Sequence, residues 1–322
     1  MTPALAVHDL AIDFLARRGP VRAVDGTSLN AASGEVLGIV GESGSGKSTL
    51  GMAIGRLLVS GAARSSGDIL VGGRSVFTLS EPALRALRAK ELGFVFQDPI
   101  GTLDPTRRIG LQIKAALESG ATRAEIEAVL AGVGLADADR VARSYPHELS
   151  GGMAQRVSIG IAVARRPKVV IADEPTAALD ASIKNQILDL LVARCRATGA
   201  VLILLSHDLH AIRRCSDRVA VMYGGRLVET GPTAAVFAHP AHPYTAMLLR
   251  SAIGRESLGG LVEPIPGAPP VLTGRCEACA FAPRCGWSEP ACIAVRPEAR
   301  FIAGRDVICH RAEVVLSAGR AS

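Results

Sequence analysis

A glycine-rich loop between an apolar strand and a helix constrains this chain more than any other feature. The strand is predicted at Val36–Val40, and residues 41–48 match the pattern G-x-x-x-x-G-K-[ST] of a P-loop. Glycines let the backbone curl so that successive N–H groups face phosphate oxygens, and the helix adds the positive end of its dipole. The lysine charge suits the β- and γ-phosphates, and the last serine can ligate Mg²⁺. The predicted phosphate-binding residues are Gly41, Ser43, Gly44, Ser45, Gly46, Lys47, Ser48 and Thr49.

Composition excludes several classes of protein. The 322 residues suggest one large domain or two, and aromatic residues make up 3%, which is unfavourable for a base-stacking platform. The net charge is +6, but the basic residues are spread along the chain, which favours a solvated surface over a nucleic-acid patch. No apolar run reaches the roughly 18 residues of a transmembrane helix, and the N-terminus does not resemble a signal peptide. We therefore expect a cytoplasmic protein with reduced thiols.

Short apolar segments alternate with longer helical patterns along the chain. Val169–Ala172 and Val201–Leu205 read as further buried strands, and buried strands separated by helices predict an α/β fold with a parallel sheet. Residues 4–35 and 66–78 are more polar and broken by glycine, as in an antiparallel edge region.

The middle and the end of the chain differ from this pattern. Residues 98–167 are rich in helical patterns, with Thr122–Val133 as one amphipathic helix. Residues 254–270 are punctuated by glycine and proline and read as a linker to a cysteine-rich tail.

Two adjacent carboxylates end the strand at residues 169–172. Neighbouring residues on a strand point to opposite sides, so Asp173 and Glu174 are expected to have different roles. We predict that Asp173 holds Mg²⁺ and that Glu174 activates the attacking water as a general base. A capping pair in a turn is the structural alternative. Two single residues after strands, Gln97 and His207, are candidates for Mg²⁺ or lytic water and for the γ-phosphate, although a lone histidine there is more often structural.

A second glycine-rich helix start follows Leu149. Ser150 is a favourable N-cap, and with Gly151 and Gly152 it forms a second candidate anion site, with Gln155 one turn further on. One chain with one nucleotide does not need two phosphate cradles, whereas a head-to-tail dimer does. We therefore expect this segment to face the nucleotide of a partner chain.

These motifs and their order resemble the ATP-binding cassette (ABC) family over residues 1–235. The resemblance implies a Walker A loop at 41–48, a Q-loop at Gln97, an LSGG signature at 149–152, a Walker B strand at 169–174, a D-loop at 178–180 and a switch His207. The D-loop residue of interest is Asp180, and Mg²⁺ ligands would be Ser48, Gln97 and Asp173. The implied fold has a RecA-like core, an antiparallel β subdomain and a helical signature subdomain at about 98–167. No aromatic residue directly precedes Gly19, where many members stack the adenine, which leaves Phe14 or Arg18 as candidates.

Three further stretches resemble the oligopeptide, dipeptide and nickel importers of that family. They are QDP followed by TLDP at 97–105, HPYT followed by LL at 242–249, and IPGAPP at 265–270, the last being more like the D-type than the F-type subunit. The resemblance implies ATP hydrolysis coupled to solute import at the cytoplasmic face of the inner membrane. Implied partners are a second ATPase, as a heterodimer, two permeases and an extracytoplasmic binding protein. Nickel-chelate import, a cassette ATPase acting on DNA or ribosomes, and a metal-sensing regulator are the alternatives.

Residues 236–322 are expected to form an extension that ends in the cysteine-rich tail. Cys279, Cys285, Cys292 and Cys309 have the spacing C-x5-C-x6-C-x16-C, which lacks the paired knuckles of a zinc ribbon. Thiolates suit either Zn²⁺ or an iron–sulfur cluster. The pattern resembles the tail of peptide-importer ATPases, some of which hold a [4Fe–4S] cluster. Cluster, zinc and no metal remain open, Cys276 has no assigned role, and any metal is expected to be structural.

Overall fold

A computed structural model describes residues 3–16, 19–58, 63–117, 120–177, 179–253 and 265–320. Arg18, Ala178 and residues 254–264 of the predicted linker lie outside this range. The strands are β1 (Leu5–Ala16), β2 (Gly19–Ala31), β3 (Val36–Val40), β4 (Ala63–Val71), β5 (Arg74–Ser75), β6 (Leu92–Val95), β7 (Val169–Asp173), β8 (Val201–Leu205), β9 (Arg218–Tyr223), β10 (Arg226–Pro232), β11 (Arg300–Ile302) and β12 (Arg305–Val307).

The helices alternate with these strands in the first part of the chain and dominate its middle. They are α1 (Lys47–Ile54), α2 (Glu81–Glu91), α3 (Pro99–Thr102), α4 (Ile109–Ala116), α5 (Arg123–Gly132), α6 (Ala138–Arg143), α7 (Gly151–Val163), α8 (Ala181–Thr198), α9 (Leu209–Cys215), α10 (Thr233–Ala238), α11 (Pro243–Ile253), α12 (Pro290–Ala294) and α13 (Ala312–Arg320). Short 3₁₀ helices lie at Pro146–Glu148 and Ala282–Arg284.

The chain divides into two compact units. Unit 1 comprises residues 1–5, 31–36 and 70–205, and unit 2 comprises residues 6–30, 37–69 and 206–322. Each unit has its own strands and its own buried side chains.

Unit 1 contains a parallel three-stranded arrangement in the order β6-β7-β8. Residues 201–205 are all buried, as are 169–172, because continuous aliphatic runs belong to strands covered on both faces. The predicted strands at 169–172 and 201–205 are confirmed. Parallel pairing aligns Val95 with Ala172 and Asp173 with Leu205, so the carboxyl ends of the three strands lie at one edge.

The helices α3 to α7 fill the middle of unit 1 and pack on one another. Helix α5 begins after Thr122, which forms a capping box with Glu125, and ends at Gly132, so the predicted amphipathic helix is confirmed. Buried aliphatic residues, Ile109, Ile113, Leu130 and Val157 among them, form the interior of this helical region.

Unit 2 contains strands in the order β3-β9-β10-β12-β11. Strand β3 is parallel to β9, and the remaining pairs are antiparallel. The predicted strand Val36–Val40 is confirmed, and its residues are all buried. Most of β1, β2 and β4 also belongs to this unit, in the order β2-β1-β4.

The tail joins this sheet directly. The hairpin of β11 and β12 adds to β10, with Glu229 opposite Val307. Arg305 on β12 forms a 3.1 Å ion pair with Glu229, and both side chains are buried. The Glu229 carboxylate also accepts hydrogen bonds from the backbone N–H groups of Ala241 and His242, at 2.9 and 3.0 Å. These contacts place the tail in the same compact unit as residues 41–48.

Candidate nucleotide-binding site

The P-loop (Gly41–Ser48) is shaped by close contacts that exclude side chains at two glycines. Gly41 has φ +157°, and a Cβ there would lie 2.1 Å from the carbonyl oxygen of Met222. Gly46 has φ +106°, and a Cβ there would lie 2.2 Å from the carbonyl oxygen of Ala23. Both distances are far below van der Waals contact, so the packing of the loop within unit 2 requires glycine at each position.

Lys47 opens helix α1 and folds back over the loop. Its Nζ donates to the carbonyl oxygens of Gly41 and Glu42 at 2.7 and 3.0 Å, and the side chain is 8% exposed. The backbone N–H of Ser45 donates to Glu42 at 3.2 Å, which closes the turn. The Lys47 ammonium group, which the sequence predicts to bind phosphate, is therefore held beside the first two residues of the P-loop.

Glu42 ties the P-loop to the tail. Its carboxylate accepts two hydrogen bonds from the Arg284 guanidinium, from Nη1 at 2.8 Å and Nη2 at 3.1 Å. Its backbone N–H donates to the Tyr244 hydroxyl at 2.8 Å. Tyr244 belongs to the HPYT stretch, and Arg284 also donates to the carbonyl oxygens of Ile265 and Pro266 in the IPGAPP stretch. The HPYT stretch therefore contacts Glu42 directly, and the IPGAPP stretch is linked to Glu42 through Arg284.

An aromatic cluster lies behind this contact. Ring centroids of Tyr223 and Tyr244 are 4.5 Å apart, and Phe281 lies 5.1 and 5.4 Å from them. All three side chains are almost fully buried. Burial raises the pKa of the Tyr244 hydroxyl, which keeps it neutral as the partner of the Glu42 N–H.

His207 follows Ser206, which is hydrogen-bonded to the carboxyl-terminal part of β3. The backbone N–H of Ser206 donates to the carbonyl oxygen of Ile39 at 3.1 Å, so residues 206–207 run beside the strand that leads into the P-loop. His207 itself is exposed, and Asp208 caps the following helix by accepting the N–H groups of His210 and Ala211. Within unit 2 the residue before His207 is therefore hydrogen-bonded to β3 two residues before the P-loop begins.

The carboxylate pair lies at the edge of unit 1 where its parallel strands end. Asp173 is the last residue of β7, and Gln97 follows the end of β6 on the same edge. Glu174 has φ +47°, a left-handed conformation that is uncommon for residues other than glycine, and its N–H donates to Leu205 at 2.9 Å. Such backbone strain is frequently found at functional positions. Gln97 is exposed, and Asp173 and Glu174 are partly exposed.

The signature segment has a different local structure. The Ser150 hydroxyl accepts the N–H of Met153 at 3.3 Å and caps α7, as the sequence predicts. A Cβ at Gly151 would lie 3.6 Å from Leu179, and one at Gly152 3.4 Å from Ile183, both ordinary contacts. The signature therefore neighbours the D-loop within unit 1, where Asp180 is the N-cap residue of α8. Gln155 is 1% exposed, and its Nε2 has no hydrogen-bond partner in the described part of the chain.

Four thiols converge in the tail. Cys279, Cys285, Cys292 and Cys309 line one small cavity of about 10 Å³ in unit 2, together with His242, Pro243, Phe281, Ala282, Trp287, His310 and Arg311. Burial raises the pKa of Cys309 to about 12 and lowers that of His242 to about 3, so both are neutral as they stand. Cys276 is not among the lining residues, and its N–H instead donates to Asp25 at 3.4 Å. In the described residues, no three histidine, cysteine, aspartate or glutamate side chains are placed to hold a single metal ion.

The comparisons with known proteins agree with this arrangement. The profile of the ABC transporter family matches residues 24–177, and that of the oligopeptide/dipeptide transporter C-terminal region matches residues 228–292. The dipeptide transport ATP-binding protein DppD of Haemophilus influenzae is 40% identical over 316 residues, which cover 95% of this chain and 94% of that protein. The chain belongs to the family of peptide ABC transporter ATP-binding proteins.

Another relative and a solved structure extend the comparison of this ABC protein. The oligopeptide transport ATP-binding protein OppD of Mycobacterium bovis is 41% identical over 98% of this chain, but the chain spans only 53% of that relative. The dimeric ATP-binding cassette MJ0796, solved in a post-hydrolysis state with ADP and Pi, matches 71% of this chain and 98% of that one. The TM-score is 0.63 and the identity 27%. The expected ABC cassette fold is confirmed. No described helix of this ABC protein is long and apolar enough to span a bilayer.

Sequence reasoning missed the residues that hold the P-loop from behind. Glu42 occupies a variable position of the G-x-x-x-x-G-K-[ST] pattern, and Arg284 lies 242 residues away from it. A lone arginine beside a cysteine carries no local signal of such a contact. The acidic residue inside a phosphate-binding loop was the available clue, because a carboxylate there calls for a neutralising cation.

Proposed function

We propose that this protein is the ATP-hydrolysing, energy-coupling subunit of an ABC importer for dipeptides or oligopeptides. The observation that carries the proposal is the combination of the P-loop with a relative of 40% identity, along nearly its whole length, named as a dipeptide transport ATP-binding protein. The C-terminal match to the oligopeptide/dipeptide transporter region supports the substrate class.

The residues divide into roles around a MgATP bound at the P-loop. Backbone N–H groups of the loop and Lys47 bind the phosphates, while Ser48, Gln97 and Asp173 hold Mg²⁺. Glu174 activates the attacking water, and His207 contacts the γ-phosphate. The chemistry is in-line attack of water, so the protein acts chiefly by positioning the phosphates and stabilising charge.

The signature segment serves a second nucleotide. The helix start at Ser150, Gly151 and Gly152, with the D-loop Asp180, faces the ATP of a partner cassette in a head-to-tail pair. Gln155, which the sequence places in the same set, is buried in α7 and is not exposed to a partner's nucleotide. Partners are a second, F-type ATPase subunit, two transmembrane permeases and an extracytoplasmic binding protein. The chain acts peripherally at the cytoplasmic face of the inner membrane.

We propose that the four-cysteine tail holds a [4Fe–4S] cluster rather than Zn²⁺, because thiolates ligate such clusters and the cysteine spacing lacks the paired knuckles of a zinc ribbon. The four thiols line one small cavity in unit 2. When bound, the cluster would tie four points of the tail together through iron–thiolate bonds. Iron, acid-labile sulfide and zinc analysis of anaerobically purified protein tests this assignment. Zinc without iron, or neither metal, would overturn it.

The ATPase assignment is tested with Glu174→Gln. We expect MgATP binding to persist while hydrolysis by the purified transporter complex falls by about 10² or more, the lower end of general-base contributions. Lys47→Ala serves as the comparison, because it should weaken MgATP binding itself. A near-normal rate for Glu174→Gln would remove this residue from the role.

The transport assignment is tested by co-purification from the native host in mild detergent. Two multi-span permeases and a second ATPase, identified by mass spectrometry, would support the importer. Ribosomal or DNA-repair proteins without any permease would overturn it.

A further inference from the structure

We infer that Arg284 of the tail is a positioning residue of the nucleotide site, and that it neutralises the carboxylate which Glu42 places inside the P-loop. The inference rests on the proposed function, because it requires ATP at the P-loop. It goes beyond that function by giving the C-terminal tail a direct part in nucleotide affinity.

Every nitrogen of the Arg284 guanidinium donates a hydrogen bond. Nε donates to Pro266 at 2.7 Å, Nη1 to Glu42 and the Tyr223 hydroxyl at 2.8 and 3.2 Å, and Nη2 to Glu42 and Ile265 at 3.1 and 3.2 Å. These five bonds use all five N–H groups of the side chain. The arginine is 6% exposed, so its position is fixed before any ligand arrives.

Charge gives this contact its importance for an anionic ligand. Glu42 lies between Gly41 and Ser43 of the P-loop, and its side chain is 24% exposed. An unpaired carboxylate there would repel a triphosphate bound by the same loop. The two-point pairing with Arg284 cancels that charge and fixes the side chain in one orientation.

The backbone of Glu42 is restrained from the same side. Its N–H donates to Tyr244, and Tyr244 packs on Phe281, which lies three residues before Arg284. The tail therefore holds both the side chain and the main chain of one P-loop residue. A loop that is already ordered loses less conformational entropy when it binds its ligand.

The turn that carries Arg284 is part of the thiol cavity. The N–H of Ala282 donates to Cys279 at 3.0 Å, and the N–H of Cys285 donates to Ala282 at 3.3 Å. Cys279 and Cys285 both line the cavity, so Arg284 stands on a short 3₁₀ turn between two of its thiols. The turn that contacts the P-loop is thus also a wall of the thiol cavity.

The test substitutes Arg284 and Glu42, singly and together, in the full-length chain. For Arg284→Gln we expect the Kd of MgATP, measured by calorimetric titration, to rise about tenfold, which corresponds to 1.4 kcal/mol. In the purified transporter complex the KM for ATP should rise while kcat stays nearly unchanged, because binding and not the chemical step is affected. Arg284→Lys, which keeps the charge but loses the two-point geometry, should recover part of the affinity.

The double variant Glu42→Gln with Arg284→Gln separates charge from simple loss of structure. Removing both charges should restore most of the affinity that Arg284→Gln loses, since the loop then carries no unpaired negative charge. Arg300→Gln is the matched control. Arg300 also forms a two-point pair in the tail, with Glu313 at 2.9 and 3.1 Å, and should leave the Kd unchanged.

Lys47→Ala keeps this inference separable from the proposed function. If Lys47→Ala weakens MgATP binding but Arg284→Gln binds like the wild type, the inference is wrong and the P-loop assignment stands. The same holds if the double variant binds no better than Arg284→Gln, or if Arg300→Gln loses as much affinity. If Lys47→Ala itself binds like the wild type, the proposed function fails and the inference with it.

Discussion

Two glycine-rich segments of this chain lead into helices, and they owe their glycines to different causes. In the P-loop, Gly41 and Gly46 have positive φ angles, and an added Cβ would lie within 2.2 Å of a carbonyl oxygen. In the signature segment, Gly151 and Gly152 lie in the first turn of α7, and an added Cβ would make ordinary contacts of 3.6 and 3.4 Å. The fold of this chain demands glycine in the first segment and tolerates a side chain in the second.

The comparison bears on what each segment binds. In the P-loop, packing within the chain requires the glycines, so the loop has its binding shape without a partner chain. Glycines that the fold does not need are explained by something that approaches closely from outside, since backbone N–H groups at a helix start bind phosphate best without side chains in the way. This agrees with our proposal that the signature faces a partner's nucleotide.

The P-loop is also held by more side-chain contacts than the signature segment. The P-loop is tied to the tail through Glu42, Arg284 and Tyr244. The signature has a single side-chain cap, Ser150 on Met153, at 3.3 Å. Substitutions in the P-loop should therefore disturb folding and binding together, whereas those in the signature should change the free energy of unfolding by about 1 kcal/mol or less.

The largest effect is expected for Gly41→Ala. The Cβ would overlap the Met222 carbonyl, and both steric strain and the unfavourable φ act, so we expect a loss of about 3 kcal/mol or more in the free energy of unfolding. Gly44→Ala is the matched control, because Gly44 has φ +78° but no atom within 4 Å of the added Cβ. It should cost about 1 kcal/mol. Denaturant unfolding of both variants measures the difference, and equal losses would contradict the steric account.

Gly151→Ala is expected to have little effect on the fold and to reduce ATP turnover. Alanine is the better helix former and its Cβ has room, so the free energy of unfolding should stay the same or rise by up to about 1 kcal/mol. ATP turnover of the complex should fall at least about tenfold, because a misplaced phosphate contact impairs the reaction. Unfolding and steady-state hydrolysis of the same preparation test both halves. Normal turnover would remove the signature from the ATP site.

A small loss of stability is expected for Ser150→Ala. Loss of the cap should lower the free energy of unfolding by about 0.5–1 kcal/mol, at the low end for N-caps because its bond to Met153 is long. Ser150→Asp, which keeps a capping oxygen, should retain the stability. If the aspartate variant is as unstable as the alanine variant, Ser150 does not act as the cap.

The strands and motifs of the sites could be predicted because they depend on local sequence. Continuous aliphatic runs located β3, β7 and β8, and the spacing of glycine, lysine and serine located the P-loop. The cap of α7 followed from Ser150 alone. These features need no knowledge of distant residues.

The contribution of the tail could not be predicted in this way. Strands β11 and β12 have three residues each and carry Arg300, Arg305 and Asp306, so they show no apolar run. Their stability depends on pairing with β10 and on the buried contact of Arg305 with Glu229. The ion pair of Glu42 with Arg284 likewise joins residues that lie 242 positions apart. Such contacts depend on the finished fold, which one sequence does not reveal.

The most direct test of the account is a MgATP titration of dilute, monomeric wild-type chain, Lys47→Ala and Gly151→Ala. We expect the wild type and Gly151→Ala to bind with the same Kd and Lys47→Ala to bind at least about tenfold more weakly, equivalent to 1.4 kcal/mol. This pattern would mean that the P-loop binds the chain's own nucleotide and that the signature does not. An equal loss of affinity in Gly151→Ala and Lys47→Ala would contradict the division of roles between the two segments.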